Sequence, residues 1–119
     1  MKRILIVDDE KNIRTLFRDE LEEAGYLVET AASGGEALEK AEEFRPHLLV
    51  LDVRMEDMTG LEVLGVVREK HPKLPVIMCT AVRGLEEDFT VWDAHVSDYI
   101  TKPVDLEDLK EKIKKALPD

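Results

Sequence analysis

Apolar residues follow two rhythms along this chain. Ile4–Val7, Leu48–Leu51 and Val76–Cys79 are short unbroken apolar runs. Runs of that length predict strands buried on both faces. Tyr26–Ala31 reads as a weaker strand and Asp98–Thr101 as a fifth. Between them the period lengthens to that of a helix. Ile13, Leu16, Phe17, Leu21 and Ala24 share one helical face, with Gly25 as the stop. Ala37, Leu38 and Ala41 mark a second helix ending before Pro46, and Leu61, Leu64 and Val67 a third ending near Pro72. A fourth, over Gly84–Ala94, is weaker, with Leu85, Phe89 and Trp92 on its apolar side. In the last helix Asp105 and Asp108 have capping-box spacing, and Leu106, Leu109, Ile113 and Leu117 form the stripe. Strands alternating with helices predict an α/β fold: a doubly wound, five-stranded parallel sheet with helices on both faces and right-handed crossovers.

Ligands of such sheets bind beyond the carboxyl ends of the strands. The first strand ends in Asp8 and Asp9, the third in Asp52, the fourth in Thr80 and the fifth in Lys102-Pro103. The second ends in Ala31-Ala32, which suits a strand at an edge of the sheet.

Composition narrows the possibilities. The 119 residues make one domain, 1–119, with 27 acidic against 17 basic side chains and a net charge of -10. That sign disfavours direct binding to nucleic acid or an anionic membrane. The single cysteine, Cys79, lies in an apolar run and reads as a core thiol. The apolar segment after Met1, Lys2 and Arg3 is too short for a signal peptide, and no run approaches a membrane span. The expected location is cytoplasmic. His47, His71 and His95 lack ligand spacing and read as non-functional, Trp92 as a packing residue, and Lys110, Lys112, Lys114 and Lys115 as a solvated helix face.

The rim residues carry the chemistry. Three carboxylates and one ammonium leave excess negative charge, which a hard divalent cation relieves. Mg²⁺ (or Mn²⁺) takes oxygen ligands and keeps waters for a phosphate to displace. The Lys102 ammonium and the Thr80 hydroxyl suit phosphoryl oxygens, and a carboxylate is a competent nucleophile toward phosphorus. Competing chemistries fit less well. "DDEKN" after the first strand would repel a flavin phosphate, and the glycine-rich turn of a dinucleotide site is absent. A haloacid-dehalogenase-type phosphohydrolase would carry an acid where Arg54 stands.

"ILIVDDE", "LLVLDVRM" with Gly60, "VIMCTA" and "DYITKP", in that order and spacing, closely resemble the receiver domain of two-component response regulators. The resemblance runs from about Arg3 to Leu117. It implies a flavodoxin-like sheet of strand order 2-1-3-4-5. Position by position, it implies Asp52 as phosphoacceptor. Asp9, Asp52 and the backbone carbonyl of Arg54 become direct Mg²⁺ ligands, with Asp8 acting through water. Thr80 is implied as the switch hydroxyl, Tyr99 as the switch aromatic, Lys102 as the phosphate-binding lysine and Pro103 as a proline after a cis bond. Arg54 and Val82 stand where side chains tune hydrolysis of the phosphoryl group. Arg54 is a donor that cannot act as a base, and Val82 offers no hydrogen bond, so slow autodephosphorylation is expected.

The chain also departs from the family pattern. "MEDMTG" stands where Met-Pro-Gly-Met-Asp-Gly is commoner, so that loop is expected to be looser and more acidic. His95-Val96 replaces a common Gly-Ala, which puts the fourth helix and its exit loop in doubt.

The resemblance implies a signalling module and not a turnover enzyme. Its phosphoryl donor would be a sensor histidine kinase or a histidine phosphotransfer protein, docked near the first helix beside Asn12, Thr15 and Val104. Its output would be an unidentified downstream protein, and its state a monomer or a weak phosphorylation-dependent dimer. A stand-alone regulator and the N-terminal receiver of a longer transcription regulator both remain open. A scaffold pseudo-receiver is disfavoured by intact Asp9, Asp52, Thr80 and Lys102.

Overall fold

Every apolar run becomes a strand. The computed structural model describes residues 1–80 and 96–117. Its strands are β1 (Arg3–Val7), β2 (Leu27–Ala31), β3 (Leu48–Asp52), β4 (Val76–Thr80) and β5 (Asp98–Thr101). The helices among these residues are α1 (Lys11–Glu23), α2 (Gly34–Phe44), α3 (Gly60–Lys70) and α4 (Leu106–Ala116). The expected helix over Gly84–Ala94, with Trp92, His95 and Val82, lies outside the described residues. All pairings are parallel and the order is β2-β1-β3-β4-β5, with β2 at an edge as its apolar end implied.

Alternation along the strands divides the core in two. Leu5, Val7, Leu49, Leu51, Val76 and Met78 face α2 and α3, meeting Ala37, Ala41, Val63, Leu64 and Val67. Ile4, Ile6, Leu48, Val50, Ile77, Cys79 and Ile100 face α1 and α4, meeting Phe17, Leu21, Leu109 and Ile113.

α1 ends as its sequence predicts. Gly25 takes φ +99°, its N–H bonds the Glu22 carbonyl, and the Tyr26 N–H bonds that of Leu21. This is a Schellman stop, which requires the left-handed residue that glycine supplies without a Cβ penalty.

Four local expectations need correction. Leu16 is not core-facing: it is 45% exposed. The buried stripe of α1 is Phe17 and Leu21, with Ile13 packed beside it, and Ala24 at the C-cap is also exposed. The spacing of Asp105 and Asp108 does not yield a reciprocal box. Asp105 accepts from the Glu107 and Asp108 amides, while the Asp108 carboxylate pairs with Lys112 at 3.0 Å. The lysines of α4 are not simply solvated, because Lys110 bridges Glu20 of α1 (3.0 Å) and Glu107 (3.1 Å). Lastly, His47 has a structural role. Its Nδ1 accepts the Arg3 N–H (2.9 Å) and its own N–H donates to the Arg3 carbonyl (2.7 Å), joining β1 to the start of β3. Burial and the nearby Arg3 and Lys2 hold the His47 pKa below its ordinary value, in keeping with a neutral acceptor.

Candidate functional site: an acidic rim closed by one lysine

Register creates the site. Val7 pairs with Leu51, so Asp8 and Asp52 emerge side by side from neighbouring strands. Both share the alternation of Ile6 and Val50 and lean toward the α1/α4 side. Lys102 has the same parity as Ile100 on β5 and reaches back over β4. Its Nζ stands 3.0 Å from Asp8 Oδ2 and 3.5 Å from Asp52 Oδ2. The Lys102–Pro103 bond is cis.

The three charged groups are largely shielded from water, Asp8 and Asp52 being 2% and 4% exposed. Burial, then the Asp8 charge, lifts the Asp52 pKa to about 6 against the pull of Lys102 and the Arg54 amide. Lys102 responds in the opposite way. Burial opposes its charge, but the hydrogen bond and charge of Asp8, with Asp52 behind it, outweigh that and raise its pKa. The ammonium therefore serves as counter-ion to two carboxylates that would otherwise repel. Neighbouring Cys79 is inert, its thiol pushed up to about 12 by burial.

Asp8 and Asp9, adjacent in sequence, have separate environments. Asp8 is buried and its Oδ1 also accepts the Glu10 N–H at 2.9 Å, while its carbonyl accepts Arg14 Nη1 at 2.8 Å. Asp9 is exposed. Carboxylate oxygens of Asp8, Asp9 and Glu10 lie within 4.8 Å of one another. An all-oxygen donor set of this kind suits a hard cation such as Mg²⁺. Glu10 belongs to this cluster although family matching gave it no role. Asp52 is turned instead toward Lys102 and, at a long 3.4 Å, the Arg54 N–H.

The loop from β3 to α3 is fixed at both ends. The Gly60 N–H bonds the Val53 carbonyl at 2.7 Å, and a Cβ at Gly60 would fall 2.2 Å from the Asp52 carbonyl oxygen. Only glycine allows α3 to begin so close to the strand that carries Asp52. Thr59 and Glu62 then form a full capping box: Thr59 Oγ1 accepts the Glu62 amide, and the Glu62 carboxylate accepts the Thr59 amide. The Thr-x-x-Glu spacing in the sequence is the signal for this cap.

The middle of this loop corrects another expectation. "MEDMTG" is not loose. Asp57 Oδ1 and Oδ2 accept the Gly34 and Gly35 amides, each at 3.0 Å, at the start of α2. Those two amides hold the Asp57 carboxyl below its ordinary pKa. Met58 packs over Gly34, where a Cβ would come within 2.1 Å of Met58 Cγ.

Thr80 ends β4, its backbone paired with Thr101, and Tyr99 is half-buried against the α2/α3 half of the core. A broader cleft of about 510 Å³, lined by residues including Arg45, Lys70 and His71, lies at the α2–β3 and α3–β4 turns, away from these acids.

A doubly wound parallel sheet with buried acids and a lysine at one strand rim defines a narrow class of α/β proteins. Residues 4–114 match the response regulator receiver domain, and the chain belongs to that family. It is 39% identical over 116 residues to the alkaline phosphatase synthesis transcriptional regulatory protein PhoP of Bacillus subtilis, covering 98% of this chain and 48% of PhoP. It is 42% identical to the response regulator MprA of Mycobacterium leprae, covering 97% of this chain and 50% of MprA. The chain thus spans about half the length of these curated relatives. Among solved structures, a CheY-like receiver domain protein from Methanospirillum hungatei superposes with a TM-score of 0.94 at 41% identity, covering 99% of this chain and 94% of that one. The response regulator TrrA of Thermotoga maritima, in complex with Mg²⁺-BeF, gives 0.90 at 43% identity, covering 98% and 99%. No described helix is long and apolar enough to cross a membrane.

Proposed function

We propose that this receiver domain takes a phosphoryl group onto Asp52. The observation that carries the proposal is the buried Asp52 carboxylate at a strand end, beside Lys102 and an acid cluster that suits a divalent cation. In the reaction, an Asp52 oxygen attacks phosphorus as the bond to the donor imidazole nitrogen breaks, and the imidazole leaves with its electron pair. The Lys102 ammonium, already within reach of Asp52, follows the charge onto the phosphoryl oxygens. Asp9, Asp52 and the Arg54 carbonyl would hold Mg²⁺, with Asp8 acting through water. Mg²⁺, when bound, supplies charge neutralisation for the transferring group. Because the Asp52 pKa lies near 6, the carboxylate is mostly ionised at neutral pH and available as nucleophile. In Mg²⁺ and acetyl phosphate, intact mass should rise by one phosphoryl group, and Asp52→Asn should abolish the rise. A fully phosphorylated Asp52→Asn protein would refute the assignment.

Thr80 and Tyr99 are proposed to relay the phosphoryl group to the surface. Arg54 and Val82 are proposed to leave water poorly oriented, giving a phosphoryl lifetime of minutes or longer, which decay of the phosphorylated mass would measure. The proposed donor is a histidine kinase or histidine phosphotransfer protein docked on α1. The exposed Leu16 adds an apolar contact there to Asn12, Thr15 and Val104. Leu16→Glu should slow transfer from the protein donor and leave acetyl phosphate uptake unchanged; equal slowing of both would argue against docking at α1. The length of PhoP and MprA favours a second reading of the output, in which this receiver serves a longer transcription regulator.

A further inference from the structure

We propose that Asp57 is a positioning residue for the metal-binding rim: by tying the β3–α3 loop to the first turn of α2, it holds the Arg54 carbonyl in place for a cation. The inference rests on the reading of the rim as a Mg²⁺-dependent phosphoacceptor site.

The loop has seven residues, 53–59, between Asp52 and α3. Its ends are fixed by Gly60 and by β3 itself. Arg54, Glu56 and Asp57 are exposed, and the Arg54 N–H makes a long bond to Asp52. The middle is held from a distance of 23 residues in sequence. Both Asp57 oxygens are engaged by consecutive amides, and Met58 fills the space that Gly34 leaves empty. A bidentate carboxylate fixes orientation as well as distance, so the tether sets the path of the loop on which Arg54 lies.

The surroundings make that tether matter to the rim. A cleft of about 270 Å³ is walled by Asp9, Ala32, Ser33, Glu56 and Asp57. Asp9, one of the two exposed acids of the cation cluster, and the tether therefore line the same cleft. Asp9, Glu56 and Asp57 are three negative groups around that space, and the positive end of α2 offsets the charge of Asp57. Loss of the tether frees the loop and returns an uncompensated charge to it. Groups that orient metal ligands without touching the metal commonly alter affinity by 10–100-fold. The plainer alternative is that Asp57 is a helix cap and nothing more.

The test compares Asp57→Ala with Ser33→Ala. Ser33 Oγ caps the Glu36 amide of the same helix at 3.2 Å, a bond local to the start of α2. Both variants should melt earlier than wild type. Only Asp57→Ala should raise the Mg²⁺ concentration needed for half-maximal phosphorylation by acetyl phosphate, by about 10-fold, with the rate at saturating Mg²⁺ unchanged. In wild type, the Gly34 and Gly35 amide NMR signals should shift with the same Mg²⁺ midpoint, though neither residue is a ligand. An unchanged midpoint in Asp57→Ala, or an equal change in Ser33→Ala, overturns the proposal while leaving the phosphoacceptor reading intact. Wild-type protein that takes no phosphoryl group and shows no Mg²⁺-dependent shift overturns that reading, and this inference with it. If Asp57→Ala does not fold, Asp57→Asn and the wild-type amide titration decide in the same way.

Discussion

Asp52 and Asp57 lie five positions apart, and the fold drives their acidities in opposite directions. Asp52 is buried beside Asp8 and its pKa rises to about 6; Asp57 is exposed on two helix-end amides and its pKa falls. Dehydration and a like charge penalise the first anion, whereas two N–H donors and a helix dipole welcome the second. The contrast separates two uses of one side chain. Asp52 is kept in tension, relieved only in part by Lys102, while Asp57 is at rest and anchors the loop between them.

Removing Lys102 should widen the contrast most. Lys102→Ala leaves two buried carboxylates without their ammonium, so the pair should retain a proton to higher pH than in wild type. Phosphoryl uptake should fall by about 10²-fold, as when one charge-stabilising group is lost from a reacting site. Carboxyl NMR and mass spectrometry measure the two effects, and an unchanged Asp52 midpoint would show that Lys102 is not its counter-ion.

A smaller effect bears on stability. Asp52 has a raised folded pKa, so the folded protein holds that proton more tightly than the unfolded chain. Its cost to stability is present above about pH 6 and is relieved as pH falls toward 3.8. In metal-free buffer at pH 7.5, Asp52→Asn should therefore be more stable than wild type by about 1–2 kcal/mol after allowance for screening. The gain should vanish near pH 4, as urea melts at the two pH values would show.

The smallest effect is that of Asp57, with the reverse sign. A depressed carboxylate contributes stability above its unfolded pKa of 3.8, which is lost as pH falls below that value. Asp57→Asn should thus lie slightly below wild type at pH 7 and converge with it only in strong acid. A titration midpoint for Asp57 at or above 3.8 would remove the contrast.

The same pair shows what a sequence reveals and what it withholds. The acid at the end of "LLVLD" was legible because period and run length place strand ends, and parallel topology gathers them at one rim. Lys102 was found for the same reason. The partner of Asp57 was not, because Gly34 and Gly35 lie 23 and 22 residues earlier and meet it only once α2 packs beside α3. Leu16 failed on angular resolution: one residue from Phe17 on a helix is a turn of 100°, enough to leave the buried stripe. The box at Thr59 and Glu62 is legible by its Thr-x-x-Glu spacing, directly before the apolar run of α3.

Lys102 and Asp8 are separated by 94 positions, nearly the full length of the chain. The first three strands pair among themselves within 52 residues, with β1 between β2 and β3. In the folded protein the two acids of the rim thus come from the first half of the chain and their ammonium from the second. Partial charge relief at the rim therefore depends on a residue just beyond β5, at the opposite edge of the sheet from β2. A chain cut before Lys102 would leave Asp8 and Asp52 without the ammonium that stands between them.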